Sequence, residues 1–357
     1  MLIPMNIRKI DYFHVQSVRK EPFIIATGSS SLAHNIIVKV KTDDAVGIGN
    51  ACPNSVTGET KESIISALKT LSRSLVREDA LDVDWLNFRM DSTIQENPAA
   101  KAGIDIALWD LKGKIEEVQV CKLLGDERKQ RMLTDMTLGI MAKDRAVKRA
   151  TRYKEEGFRA LKVKIGLDPK RDVEIIKAIR ETVGEDIIIR VDANQGYDVE
   201  TAIQVIEKIA PYKIEQIEQP VKWDDLDGLR EVKENSSIPI TADEAVKTSE
   251  DARKVVKGKC ADNINIKLMK CGGITRALEI NQIAQEGGMN TMIGCMGENR
   301  ISIAAGLHFA LSKDNVKYAD LDSHFSLIDD KTEGGFSFKE GYLVPFDVSG
   351  FGVEVEI

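Results

Sequence analysis

The 357 residues contain no Walker A loop, no GxGxxG fingerprint and no GxSxG elbow, so the common nucleotide-binding and serine-hydrolase readings lack their carriers. Cysteine is scarce: Cys52, Cys121, Cys260, Cys271 and Cys295 are odd in number and form no CxxC pair, which argues against a disulfide framework and for reduced thiols. Histidine is scarcer still. His14, His34, His308 and His324 show neither HExxH nor HxH spacing, and His308, inside an apolar helical pattern over 301–311, reads as a core residue. No run of about 18 apolar residues is present to span a membrane, and the opening MLIPMNIRKI is too short and too soon interrupted for a signal peptide. With a net charge of −7 and no basic tract to neutralise phosphates, nucleic acid is not an expected partner. A cytoplasmic protein acting on a small molecule is the expectation that remains.

What is present is an ordinary globular composition, 43% hydrophobic and 30% charged, in a chain long enough for two domains or for one large α/β barrel with additions. The first part reads as an α+β unit. Strands are expected over 6–17 and 35–42, with the polar run Gly28-Ser29-Ser30-Ser31 as a loop between them, and helices over 60–76 and 99–115, the second starting after Pro98. Gly125-Asp126-Glu127-Arg128 marks a boundary. No acid/base pair occurs before it, so this part reads as a lid or packing module.

From residue 133 the texture changes. Short β-rich runs at 133–140, 160–165, 186–191, 214–218, 238–242, 263–268, 291–295 and 318–321 alternate with amphipathic stretches such as 172–183, 199–209 and 274–286. Such alternation implies a parallel sheet, and eight units imply a (β/α)8 TIM-type barrel, with a doubly wound open sheet as the alternative. The glycine- and strand-rich stretch 329–357 is expected to return to the N-terminal unit. The chain then divides into an α+β capping domain over 1–126, a barrel over 127–328 and a tail over 329–357.

One strand stands out. In Leu161-Lys162-Val163-Lys164-Ile165 the two lysines fall on one face, because residues i and i+2 of a strand point the same way. Two adjacent ammonium groups disfavour double protonation, which is expected to lower the pKa of a lysine so placed towards that of a base. The alternative is a solvent-facing edge strand with lysine gatekeepers. The later strand ends weigh between them. Barrel active sites form where the strands end, and these strands end in Lys164, Asp192, Glu218, Asp243, Lys267 and the run Asp320-Leu321-Asp322. Three carboxylates converging from successive strands repel one another unless a cation joins them, and oxygen ligands without histidine or thiolate favour Mg²⁺. Lys164 before these acids and Lys267 after them suit removal of the proton next to a carboxylate. The metal stabilises the enediolate, and one lysine takes the proton while the other returns it from the opposite face.

These residues resemble the enolase superfamily, and within it the muconate-lactonising subgroup. The resemblance spans nearly the whole chain and rests on Lys162-x-Lys164, Asp192-x-Asn194, Ile217-Glu218-Gln219-Pro220, Ala242-Asp243-Glu244 and Asn265-Ile266-Lys267-Leu268-Met269-Lys270. It implies an enolase-like modified barrel. It also implies that Lys164 and Lys267 are the acid/base pair, that Lys162 tunes Lys164 and touches the substrate carboxylate, and that Asp192, Glu218 and Asp243 bind Mg²⁺. By the same resemblance Thr137 and the backbone around Cys295, Met296 and Gly297 line the substrate site. Separately, a homo-oligomer is the expected assembly.

Asp320 and Asp322, at i and i+2 of the last strand, face one side and suit a cation supplied by the substrate. The pair resembles the Asp-x-Asp motif of dipeptide epimerases, which grips the free α-ammonium of a dipeptide while its C-terminal residue is inverted. An o-succinylbenzoate synthase or a muconate cycloisomerase, the alternatives within the subgroup, has no use for it. L-Ala-D/L-Glu epimerization, a step in recycling murein peptide, is the first expectation. Enzymes of that kind can carry an arginine shortly after a Pro-Phe pair; here Pro22-Phe23 leads to Gly28 near that place, so either Arg19, Lys20 or Arg300 supplies the charge from elsewhere or the pocket takes an apolar or mixed side chain.

Overall fold

The computed structural model describes residues 5–125 and 129–356; Asp126, Glu127 and Arg128 of the expected boundary lie outside the described residues. The chain opens with a long antiparallel hairpin, β1 (Lys9–Ile25) and β2 (Gly28–Lys41), with β3 (Val46–Ala51) on the free side of β2. The run Gly28 to Ser31 is therefore strand and not loop: Ile25 pairs with Gly28, Ile24 with Ser29 and Phe23 with Ser30, around a turn at Ala26-Thr27. Its polarity reflects exposure at the hairpin tip, where glycine and serine satisfy water on both faces while the ladder satisfies the backbone.

Four helices follow, α1 (Lys61–Leu75), α2 (Val83–Thr93), α3 (Pro98–Ile115) and α4 (Val120–Leu124). Thr60 and Ser63 cap α1 reciprocally, and Ile64, Ala67, Leu68, Leu71 and Leu75 form its buried stripe. The α2 helix was not among the expected elements, although Asp82 caps it through Trp85 N and Val83, Leu86 and Met90 carry helical spacing. Proline at the first turn starts α3, which is buried on nearly every side. It presses so close to β3 that a Cβ on Gly47 or Gly49 would stand 2.0 Å from the carbonyl oxygen of Ala107 or Gly103.

The second part holds eight parallel strands in sequence order: β5 (Met136–Leu138), β6 (Ala160–Lys164), β7 (Ile188–Asp192), β8 (Ile214–Glu218), β9 (Ile240–Ala242), β10 (Asn263–Lys267), β11 (Asn290–Gly294) and β12 (Val316–Asp320). Just before them, β4 (Met132–Leu133) pairs with the tail. The crossovers are α5 (Lys143–Glu155), α6 (Pro169–Val183), α7 (Val199–Ile209), α8 (Leu226–Glu234), α9 (Ser249–Gly258), α10 (Leu268–Cys271) with α11 (Ile274–Glu286), and α12 (Arg300–Ser312). The sheet curls until its ends meet, where Asp135 N donates to Ala319 O at 3.3 Å and Leu321 N to Thr134 Oγ1 at 2.9 Å. It is a barrel and not an open sheet. A short turn, Ser323–Ser326, stands where an eighth helix would follow β12.

The tail adds β13 (Thr332–Gly334), β14 (Phe336–Lys339), β15 (Tyr342–Pro345) and β16 (Val353–Val355), with β15 pairing to β4. Phe351 N donates to Asp110 Oδ1 at 2.9 Å and Gln119 Nε2 to Phe346 O at 2.9 Å, which ties the tail to α3 and to the residue before α4. Among the described residues no helix is long and apolar enough to cross a membrane.

Candidate active site

Register places the ionisable strand ends at one level. Lys164 lies opposite Asp192 and Asp192 opposite Glu218, while Lys267 lies opposite Gly294 and Gly294 opposite Asp320. Every residue of β6 and β10 is buried, so the edge-strand alternative for the two lysines is excluded. Alternation turns Lys162 and Lys164 into the barrel and leaves Leu161 and Val163 to the helices. Below this level Arg190 donates to Asp135 Oδ2 at 2.9 Å and to Glu215 Oε2 at 2.6 Å, bracing the floor across the closing seam.

Asp192, Glu218 and Asp243 each offer a carboxylate oxygen within 4.8 Å of the others, all three buried. Lys164 Nζ stands 2.5 Å from Asp192 Oδ2, and Lys267 Nζ 2.7 Å from Asp243 Oδ2. The two lysines thus approach the acid cluster from strands four positions apart in an eight-strand barrel, which are opposite walls. Lys162, 1% exposed, lies beneath them at 2.7 Å from Asp320 Oδ2, 2.8 Å from Glu218 Oε2 and 3.1 Å from Asp192 Oδ2.

These acids alter the expectation of lysines with lowered pKa. Burial lowers the ammonium pKa of Lys162, but the carboxylates of Asp320, Glu218 and Asp192 outweigh it and hold the group well above its ordinary value. Burial acts likewise on Lys267, and Asp243 with Glu218 raises it above the ordinary value. The like-charge argument, made for the Lys162–Lys164 pair, left out the acids that face Lys162. On the acids, burial and the charge of Asp192 push Glu218 up to about 8, while Lys267 and Lys270 overcome burial to hold Asp243 well below the carboxylate range. Burial and Asp243 raise Glu244 to about 7.

The donor set fits a hard divalent cation. Three carboxylates converge with no imidazole or thiolate among them, and beside them Asn194 Oδ1, Glu244 Oε2 and Asn265 Oδ1 are buried acceptors without a hydrogen-bond partner among the described residues. Asn265 was not singled out as a site residue, nor was Lys270. Asn265 Nδ2 donates to Glu218 Oε1 at 2.8 Å, and Lys270 reaches back from α10 to bond Asp243. The spacing of Asn265 two residues before Lys267 carried the signal for a shared inward face. The position of Lys270 depends on the helical turn that follows the strand.

Asp320 and Asp322 stand at the far side of the same mouth. Thr137 N donates to Asp322 Oδ2 at 2.7 Å and Thr137 Oγ1 to Asp320 Oδ1 at 3.4 Å, while Cys295 Sγ lies 3.6 Å from Asp322 Oδ1. Lys162 overcomes burial to hold Asp320 well below the carboxylate range, whereas burial and the charge of Asp320 raise Asp322 to about 6. A cavity of about 540 Å³ between barrel and capping hairpin is lined by Thr137, Lys164, Asp243, Lys267, Cys295, Met296, Gly297, Asp320 and Asp322. Lys162, Asp192 and Glu218 are not on its lining; Asp192 is bonded to the lining residue Lys164, and Lys162 joins Glu218 to the lining residue Asp320. Of the cations considered for an acidic substrate group, Arg19 lines this cavity and Lys20 an adjoining one, while Arg300 is spent on the carbonyls of Gly334 and Phe336.

Residues 145–356 match the enolase C-terminal domain-like family, and residues 8–125 match the mandelate racemase/muconate lactonizing enzyme N-terminal domain. The sequence is 38% identical to a hydrophobic dipeptide epimerase of Enterococcus faecalis over 97% of this chain and 99% of the relative. It is 37% identical to an L-Ala-D/L-Glu epimerase of Clostridium acetobutylicum over 98% and 99%. The fold matches a dipeptide epimerase from Enterococcus faecalis V583 complexed with Mg and the dipeptide L-Leu-L-Tyr, with a TM-score of 0.95 and 37% identity over 98% of this chain and 99% of that one.

Proposed function

The chain belongs to the mandelate racemase/muconate lactonizing enzyme family of the enolase superfamily, and on that footing we propose that it is a Mg²⁺-dependent dipeptide epimerase. It inverts the α-carbon of the C-terminal residue by 1,1-proton transfer between Lys164 and Lys267. The observation that carries this reading is the pair of lysines on opposite barrel walls, each bonded to a different member of the three-acid cluster, with Asp320 and Asp322 in the same cavity.

Asp192, Glu218 and Asp243 would hold the metal. When bound, Mg²⁺ supplies positive charge that stabilises the carboxylate's second negative charge and weakens the acids' hold on the lysine protons. Lys162 presents a fixed ammonium beneath the substrate carboxylate. Lys164 takes the α-proton of one stereoisomer while Lys267 gives a proton to the opposite face of the enediolate, and the two exchange roles for the other stereoisomer. Asp320 and Asp322, oriented by Thr137, accept hydrogen bonds from the substrate α-ammonium. The capping hairpin and the Met296-Gly297 loop exclude water from the reacting carbon. The same reading makes the protein a cytoplasmic homo-oligomer whose partner is a small dipeptide, neither nucleic acid nor membrane. Its units are a cap over 1–126, a barrel over 127–328 and a tail over 329–357.

The test is a panel of L,L-dipeptides in D₂O with Mg²⁺, followed by mass spectrometry. Epimerization with uptake of one deuteron at the C-terminal α-carbon is expected for a defined subset. Mg²⁺ binding without deuterium uptake by any dipeptide would move the assignment to another reaction of the subgroup.

A further inference from the structure

The capping hairpin brings into the cavity one full charge that the two-lysine chemistry does not use. Arg19, on β1, donates from Nη1 to Ser326 Oγ at 3.0 Å, and its guanidinium carbon stands 5.5 Å from the ring centre of Phe23. A Cβ on Gly297 would sit 2.7 Å from Nη2, so glycine at 297 is what leaves the guanidinium its place. The Nε is buried without a hydrogen-bond partner, and among the described residues no carboxylate lies within ion-pair distance of Arg19. Of the nearby cations, Arg149 is bound to Glu21 and Arg152 to Glu156, while Lys20 also lines the adjoining cavity and Lys247, on the lining of the main one, lies over the Trp223 ring. An arginine that lines both cavities with one hydroxyl partner and no acid is set to take a carboxylate in a charge-assisted hydrogen bond.

Position decides which end of a dipeptide Arg19 meets. Beside Asp322 the main cavity leads into a second one of about 250 Å³, and the two share Arg19, Phe23, Thr137, Met296 and Asp322. The second contains neither Lys164 nor Lys267. Arg19 therefore stands at the ammonium end of the site, away from the carbon between the lysines. The cap lines the main cavity with Ile25, Leu32, Ala33, Pro53 and Val56, interspersed with the polar Thr27, Ser30, His34, Asn54 and Ser55, and with no acid and no lysine or arginine other than Arg19.

Resting on the reading of Asp320 and Asp322 as the ammonium clamp, we propose that Arg19 binds a side-chain carboxylate on the N-terminal residue. The substrate class is then dipeptides with Asp or Glu first and an apolar residue second. Without that carboxylate, a substrate closes the site over a guanidinium left without an acid partner.

The experiment compares kcat/KM for epimerization of L-Glu-L-Leu, L-Ala-L-Leu, L-Lys-L-Leu and L-Ala-L-Glu by the Mg²⁺-loaded wild type, Arg19→Gln and Arg19→Glu. The wild type is expected to favour L-Glu-L-Leu over L-Ala-L-Leu by about tenfold to a hundredfold, the range for a charge-assisted bond. Arg19→Gln should level that ratio and Arg19→Glu should shift preference towards L-Lys-L-Leu. Ratios within one variant do not depend on its folded fraction, and the wild-type ratio stands without any variant. Equal rates for L-Glu-L-Leu and L-Ala-L-Leu, a preference that survives Arg19→Gln, or L-Ala-L-Glu as the best substrate would overturn the assignment. No turnover of any dipeptide would instead overturn the epimerase reading beneath it.

Discussion

His308 offers a prediction whose size follows from the structure. It is buried in α12, its Nδ1 accepts from Cys121 N at 3.2 Å, its Nε2 has no partner among the described residues, and its ring meets Phe351 edge-on with centres 5.3 Å apart. Accepting at Nδ1 places the proton of the neutral ring on Nε2. Burial pushes its pKa from the ordinary 6.5 down to about 3. Between those values the unfolded chain binds a proton that the folded chain refuses, so this group's contribution to stability is whole above pH ~6.5 and is lost as pH falls towards ~3. At about pH 5 the loss spans about 1.5 pH units at ~1.4 kcal/mol each, or about 2 kcal/mol. His308→Asn keeps a short acceptor for Cys121 N and removes the titration. Urea unfolding of both proteins at about pH 7.5 and about pH 5 isolates the effect as a difference of differences, which cancels any pH-independent cost of the substitution. The wild type should lose about 2 kcal/mol more than the variant on acidification. Equal losses would refute the account of His308 as a buried neutral base.

Asp320→Asn should cost turnover of free dipeptides about tenfold or more and act mainly on kcat/KM, with less effect on N-acylated substrates, which lack the ammonium; equal effects on both would count against the clamp. Saturating Mg²⁺ at about a hundred times its Kd should add about 2.7 kcal/mol to the unfolding free energy, and Glu218→Gln should remove most of that gain in the same urea titration. Gly49→Ala drives a Cβ to 2.0 Å from the Gly103 carbonyl oxygen and should destabilise by about 2 kcal/mol or more, whereas Gly28→Ala meets nothing within 4 Å and should change the urea midpoint little.

The barrel could be read from the chain because its strands are short apolar runs divided by amphipathic helices, and because a parallel strand ends where its ionisable residue begins. Lys164, Asp192, Glu218 and Lys267 stand out on that ground alone. The hairpin tip was less legible, since Gly28 to Ser31 are exposed and their strand state rests on partners at Phe23 to Ile25. The lysine pKa values escaped for a related reason: they depend on which acids face Lys162 and Lys267, which only the closed barrel decides. Lys270 bonds Asp243 from the helix after its strand, and Arg19 reaches the cavity from the cap. Alternation along one strand carries no information on either.

The most direct test of two lysines acting on opposite faces is α-proton exchange by Lys164→Ala and Lys267→Ala in D₂O, with Mg²⁺ and each epimer of one good dipeptide supplied separately. Both variants should lose epimerization, and each should exchange the α-proton of one stereoisomer only, the two variants choosing opposite ones. Wild-type epimerization by either variant would contradict the account.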